Sequence, residues 1–212
     1  GSISGKVTDD ATTPNPIQGV EVTLYDSTGT KVGESVTTNQ DGEYTFTNLD
    51  IGEYSVKVSD YTDSNSYVWQ TTSTNPKDAD ITATASVVSD VNFTMAKKTV
   101  TMTVSVVDGS DNALTESVDV TVTDGNGFTD TKTTSTGSVT FTVPVGVTYT
   151  VSDTTPDGYK PSTSQSVPVA ADATSASATL KHTKINTVTI TCYAKDDKGT
   201  LLSDVTFKVY SS

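Results

Sequence analysis

The feature that most restricts this chain is a period of two. In TVTMTVSVVDGSDNAL, Val100, Met102, Val104 and Val106 share one parity while Thr101, Thr103 and Ser105 share the other. Apolar and hydroxyl side chains that alternate in this way place one row inward and one row outward on a half-buried strand. Val118, Val120 and Val122 resume the alternation after Asp108-Gly109, and the DGNG at Asp124 to Gly127 ends it with a turn signal. Val139, Phe141 and Val143 follow, then a corner at Pro144 to Gly146, then Tyr149 and Val151. A proline and glycine corner between two alternating runs connects strands and does not lie inside one.

The same order of signals stands at the start of the chain. Ile3 to Asp10 is a first strand, Pro14-Asn15-Pro16 an irregular loop, and Val20, Val22 and Leu24 lie on one face. TTNQDGEYTF matches TSTGSVTF, and LDIGEYSV matches VPVGVTYTV. Tyr44 and Phe46, then Tyr54, Val56 and Val58, are expected as the inward rows of two neighbouring strands, with bends at Gly42 and Gly52. A third, partial copy begins near Thr187. Val188, Ile190, Cys192 and Ala194 are expected inward in its first strand, and Val205, Phe207 and Val209 in its second. Cys192 takes the slot of Val104, so it reads as a small buried hydrophobe. Two strands do not close a sandwich, so this copy is expected to be truncated or to donate its strands to a neighbouring molecule.

The pattern predicts an all-β chain of tandem prealbumin-like or immunoglobulin-like β-sandwich modules. The expected divisions are 1–97 for the first module, 98–183 for the second, and 184–212 for the first two strands of a third. The linkers at Ala96-Lys97-Lys98 and Lys181 to Asn186 are short and lack flexible glycine-serine runs, which predicts a semi-stiff string. Composition agrees with thin sandwiches. The chain has 212 residues, is 33% hydrophobic, and about a fifth of it is threonine, which tolerates a strand and covers its wet face.

The formal charge is −13, and all 13 basic side chains are lysine. Arginine forks and positive patches are the means of phosphate and base recognition, so no nucleic-acid partner is expected. No apolar run approaches the length of a membrane span, so no membrane insertion is expected. Gly1-Ser2 reads as a cloning remnant. One cysteine excludes an internal disulfide. The single histidine, His182, falls in a linker by this reading, and no nucleophile motif, phosphate loop or paired-cysteine motif appears. No catalytic residues are assigned, and the chain is not expected to be an enzyme.

ISGKVTDD, IQGVEVTLYDSTGTKV and TTNQDGEYTFTNLDIGEYSVKV together resemble the B-type modules of Gram-positive surface adhesins, the Cna-B and serine-aspartate-repeat B group. VGVTYTVSDTTPDGYKPS in the second module is similar to the same family. The resemblance implies an extracellular, cell-wall-associated protein whose modules form a stalk presenting a functional tip. It also implies two chemistries to examine. The first is an intramolecular isopeptide bond, for which Lys6 and Asn92 are the candidates in the first module. The family's acid position there holds Val58, and the parity of Lys6 directs it to solvent, so no bond is expected. In the second module Asp153 holds the acid position, Val106 the lysine position, and the last strand offers no asparagine. The second is calcium, for which Asp9, Asp10 and Asp41 are the candidate ligands, although the matching loop is short and turn-forming aspartates are the stronger reading.

One loop is a candidate contact for a host protein or glycan. YTDSNSYVWQTT places Tyr61, Tyr67 and the only tryptophan, Trp69, beside a polar turn. Aromatics on a loop stack on sugars or anchor partners. Tyr67 and Trp69 also share parity, which suits a cap on the sandwich core. Neighbouring copies engaged through residues 187–212 are a further expected partner class.

Overall fold

The computed structural model describes residues 1–203 and 205–208. The first module contains β1 (Ser2–Asp9), β2 (Glu21–Asp26), β3 (Val36–Thr37), β4 (Glu43–Phe46), β5 (Tyr54–Val58), β6 (Tyr61–Thr62), β7 (Val68–Thr71), β8 (Lys77–Asp78), β9 (Val87–Val88) and β10 (Phe93–Lys97). The second contains β11 (Thr99–Asp108), β12 (Val118–Thr123), β13 (Thr129–Thr134), β14 (Ser138–Pro144), β15 (Thr148–Asp153), β16 (Gln165–Pro168) and β17 (Ala176–His182). The chain is all-β, as the alternation predicts.

The two modules share one topology. In the first, β4-β1-β10-β7-β6 faces β3-β2-β5-β8, and β9 also pairs with β1; in the second, β14-β11-β17 faces β13-β12-β15-β16. In each module the opening strand lies parallel to the closing one and antiparallel to the strand before the corner: β1 with β10 and β4, β11 with β17 and β14. The inward rows meet in two cores. Ile3, Val22, Leu24, Phe46, Val56, Val58, Phe93 and Met95 are buried in the first. Met102, Val104, Val106, Val120, Val122, Phe141, Tyr149, Val151 and Leu180 are buried in the second. Each such side chain stabilises the fold by about 1.5–3 kcal/mol relative to exposure.

Three expectations are corrected. The rows Tyr44/Phe46 and Tyr54/Val56/Val58 are not neighbours in one sheet, because β4 pairs with β1 whereas β5 pairs with β2. The glycine corner carries the chain from one sheet to the other, and the two rows meet across the core. His182 is not in a linker. It closes β17, whose burial alternates through Ala178, Leu180 and His182. Finally, residues 184–203 and 205–208 form no strand, only isolated bridges from Tyr159 to Lys184 and from Lys195 to Leu201. Cys192 is exposed there, as are Val188 at 82%, Ile190, Val205 and Phe207. The rows have the right alternation but no second sheet to bury them, and alternation without a facing layer does not fold. Val209 lies outside the described residues.

Candidate functional site: the Tyr61–Trp69 hairpin at the module joint

β6 and β7 form a hairpin, and the side chain of Asp63 organises its turn. Asp63 Oδ1 accepts from the backbone N–H of Asn65 at 2.9 Å and of Tyr67 at 3.0 Å, and Oδ2 accepts from Trp69 Nε1 at 2.9 Å. An aspartate that bonds backbone groups two and four residues on is a strong local turn former. Ser66 adopts a positive φ of 70° within this turn, which aims the next two residues away from their own module.

Those two residues enter the neighbouring core. Tyr67 is 3% exposed and packs with Val68 into the second module's cluster, beside Val145 and Val147. The Tyr67 hydroxyl donates a hydrogen bond to Asp124 Oδ2 across the joint. Asp124 Oδ1 accepts from the N–H of Asn126 at 2.8 Å and of Phe128 at 3.0 Å, so its carboxylate is fixed by its own turn. Lys97 Nζ lies 3.6 Å from the centre of the Tyr67 ring and 5.5 Å from that of Trp69, a cation held over two aromatic faces. The half-buried Trp69 packs against both cores.

The backbone closes the same joint. Lys98 N–H donates to Val68 O at 2.7 Å, and Val145 N–H donates to Lys98 O at 3.0 Å, so the linker residue is bonded on both sides. Gly146 has a φ of 94°, and a Cβ placed there would lie 2.2 Å from the carbonyl oxygen of Ser66. Only glycine fits at that approach. The electrostatics follow from this packing. Burial, with the hydrogen bond to Asp124 and the charges of Asp124 and Asp63, pushes the Tyr67 phenol up to about 12. Burial tends to raise the Asp124 carboxyl, but the hydrogen bonds from Tyr67, Asn126 and Phe128 outweigh it and hold the group below its ordinary value.

The aromatic loop is therefore placed as follows. Tyr61 packs on its own module, with Gly19 beneath its ring. Tyr67 is enclosed between modules with its hydroxyl engaged, and Trp69 has its N–H bound to Asp63. The cap suggested by shared parity exists, but Tyr67 caps the following module and not its own. Asp124, Lys97 and Gly146 escaped sequence reading as members of this joint. DGNG showed a turn at Asp124, and nothing in it signalled a partner more than fifty residues earlier in the chain.

The remaining candidates lie apart from the joint. Lys6 Nζ pairs with Glu43 Oε1 at 2.9 Å on the surface, with side chains 54% and 47% exposed. The hydrogen bond and charge of Glu43 raise the Lys6 amine above its ordinary value, which keeps it protonated. Asn92 is exposed, and its Oδ1 accepts from the backbone N–H of Lys6 at 2.8 Å, capping the start of the parallel pairing of β1 with β10. Asp9 accepts from Asn15 N–H at 2.7 Å, Asn15 Nδ2 at 2.8 Å and Ala11 N–H at 3.3 Å, which makes it a loop closer. Burial tends to raise its carboxyl, and these bonds more than offset that and lower it. Asp10 and Asp41 are exposed, and the backbone N–H of Asp41 donates to Asn39 Oδ1 at 2.9 Å. Among the described residues, no three His, Cys, Asp or Glu side chains are grouped to hold a metal ion.

Comparison with known proteins agrees with the fold. Residues 5–106 match the SdrD B-like domain. No curated protein matches the chain. Among solved structures, the Bacillus anthracis TIE protein aligns over 87% of this chain at 19% identity with a TM-score of 0.66. The chain spans 34% of that structure's length. A C-terminal fragment of the pilus adhesin SpaC from Lactobacillus rhamnosus GG aligns over 89% of this chain and 99% of its own length, at 12% identity and a TM-score of 0.53. A second structure of that fragment gives 13% identity and a TM-score of 0.51. These likenesses extend over both sandwiches and concern the fold. The similarity to the SdrD B-like domain family thus spans the first module and most of β11.

Proposed function

We propose that this chain is a spacer segment of a bacterial surface adhesin or pilus protein, displayed outside the cell at the wall, and that it holds a functional tip at a distance. The observation that carries the reading is the joint: Tyr67 is buried in the following module's core and bonded to Asp124. A spacer needs defined geometry between modules, and a buried aromatic with a bonded linker residue supplies it. The family match of the first module and the likeness to a fragment of a pilus adhesin support the surface setting. The role is mechanical and not catalytic, and the aromatic loop, with Tyr67 enclosed, serves the joint ahead of any host protein or glycan. Small-angle scattering tests this. A rigid spacer gives one end-to-end distance that does not change with ionic strength or temperature below melting, whereas a broad distribution of distances contradicts it.

A second reading concerns residues 187–208. Val188, Ile190, Val205 and Phe207 are exposed and stand in the alternating pattern of β11 and β12. This favours addition of strands to a neighbouring copy. Light scattering over a range of concentrations checks it, because an invariant monomer mass excludes self-assembly through this segment.

A further inference from the structure

The sole histidine is sealed inside the second module. Its side chain is 0% exposed and that of Asp153 is 1% exposed. His182 Nε2 lies 2.8 Å from Asp153 Oδ2, and Nδ1 lies 2.9 Å from the carbonyl oxygen of Lys160. Ser162 Oγ donates to the other carboxylate oxygen, Asp153 Oδ1, at 2.5 Å. A carbonyl oxygen only accepts, so Nδ1 must carry a hydrogen. Asp153 accepts from Ser162, and with this carboxylate ionised the hydrogen between Asp153 Oδ2 and Nε2 sits on Nε2 as well. A neutral imidazole has a single N–H and satisfies both neighbours only where Asp153 itself carries the other hydrogen. The other groups around the ring are already engaged. Tyr159 meets it edge-on with centroids 6.4 Å apart and donates to Glu116. Asp108, its register partner on β11, accepts from Ser110 and Asn112, and Lys181 pairs with Asp111.

The cluster sits where the chain leaves the module. His182 ends β17 in one sheet, and Asp153 ends β15 in the other. Immediately beyond, Lys160 N–H donates to Thr183 O at 2.8 Å and Ile185 N–H donates to Gly158 O at 2.7 Å. We propose that His182 is an imidazolium in the folded protein and that the His182–Asp153–Ser162 cluster is a charged clasp, fastening the exit strand to the opposite sheet and to the 158–162 loop. That this clasp bears load rests on the spacer reading. A pull on the segment after β17 reaches the Ile185 and Thr183 bonds first, then His182 at the end of the β11–β17 ladder, before the rest of that ladder. A charged pair with every donor and acceptor matched resists opening, because a separated partner would leave a buried charge alone.

Two measurements on the whole chain test the clasp. Nitrogen-15 spectra of the single histidine should show two ring N–H groups in slow exchange with solvent, and Asp153→Asn should leave one, since its amide then donates to a neutral ring. One ring N–H in the wild type overturns the imidazolium. In His182→Phe the amides of Lys160 and Ile185 should exchange about tenfold faster or more, with first-module amides unchanged. Should that variant fail to fold, His182→Gln, which reaches one of the two partners, is read by the same amides. Unchanged exchange overturns the clasp. Neither readout depends on how the two modules are oriented, so failure of the clasp and failure of the spacer reading are separable.

Discussion

Tyr67 of the first module donates its hydroxyl hydrogen bond to Asp124 of the second, and its ring fills space in the second module's core. Removing the side chain therefore destabilises a module to which the residue does not belong in sequence. Tyr67→Ala is expected to cost about 3 kcal/mol, in the range for deletion of a buried aromatic. Tyr67→Phe is expected to cost about 1 kcal/mol, because Asp124 retains its two backbone donors. Denaturant melts that follow the two modules separately check this, with the second module expected to lose more than the first.

The joint should weaken at both ends of the pH scale. Asp124 has its carboxyl lowered in the folded state, so its contribution is complete above the ordinary aspartate value of about 4 and is lost as pH falls through the lowered one. Tyr67 has its phenol raised to about 12, so its contribution is complete below the ordinary tyrosine value of about 10 and is lost as pH rises through about 12. In Tyr67→Phe the alkaline loss assigned to this phenol should vanish and the acid loss should shrink. Stability curves of both proteins across pH provide the comparison.

Two glycines should resist substitution for steric reasons. A Cβ on Gly146 meets Ser66 O at 2.2 Å, and one on Gly5 meets Val91 O at 2.1 Å. Gly5→Ala is expected to destabilise the first module by more than about 2 kcal/mol, because the obstacle is backbone and the Tyr44 hydroxyl is bonded to the same carbonyl. Gly146→Ala should instead force the hairpin off the second module, which loses Tyr67 and Val68 from its core, while the first module's core stays intact. Separate melts of the modules, with an inter-module distance measurement, distinguish the two outcomes.

Intact mass should equal the sequence mass with no loss of ammonia. Lys6 is protonated against Glu43, and Asn92 caps the backbone of β1, so the amine and the amide are each committed elsewhere. High-resolution mass spectrometry of the unfolded chain checks this directly. A deficit of one ammonia would show that the two side chains had reacted.

The alternation of Val100 to Val106 with threonine was enough to place the strands, and the match of TTNQDGEYTF with TSTGSVTF was enough to show that the module repeats. Both are local signals, set by which side of a strand a residue occupies. What escaped was set by pairing. Whether Phe46 and Val56 are neighbours or face each other depends on which strand each edge meets, and parity is the same in both cases. The clasp was partly legible: ATLKH continues the alternation of β17, so His182 could have been placed inward, but its partner Asp153 lies in the opposite sheet. The joint was the hardest to see, because Tyr67 satisfies the pattern for a core residue and nothing local states whose core. The described residues of 187–203 and 205–208 show the converse, since they repeat the pattern of β11 and β12 without a facing sheet to bury it.

The most direct measurement is of how the two sandwiches tumble. Nitrogen-15 relaxation and residual dipolar couplings, recorded for both modules in the intact chain, report whether they share one correlation time and one alignment tensor. The Tyr67 joint predicts a single shared tensor that separates into two in Tyr67→Ala. Two independent tensors in the wild-type chain would contradict a fixed joint, and with it the reading of this molecule as a rigid spacer.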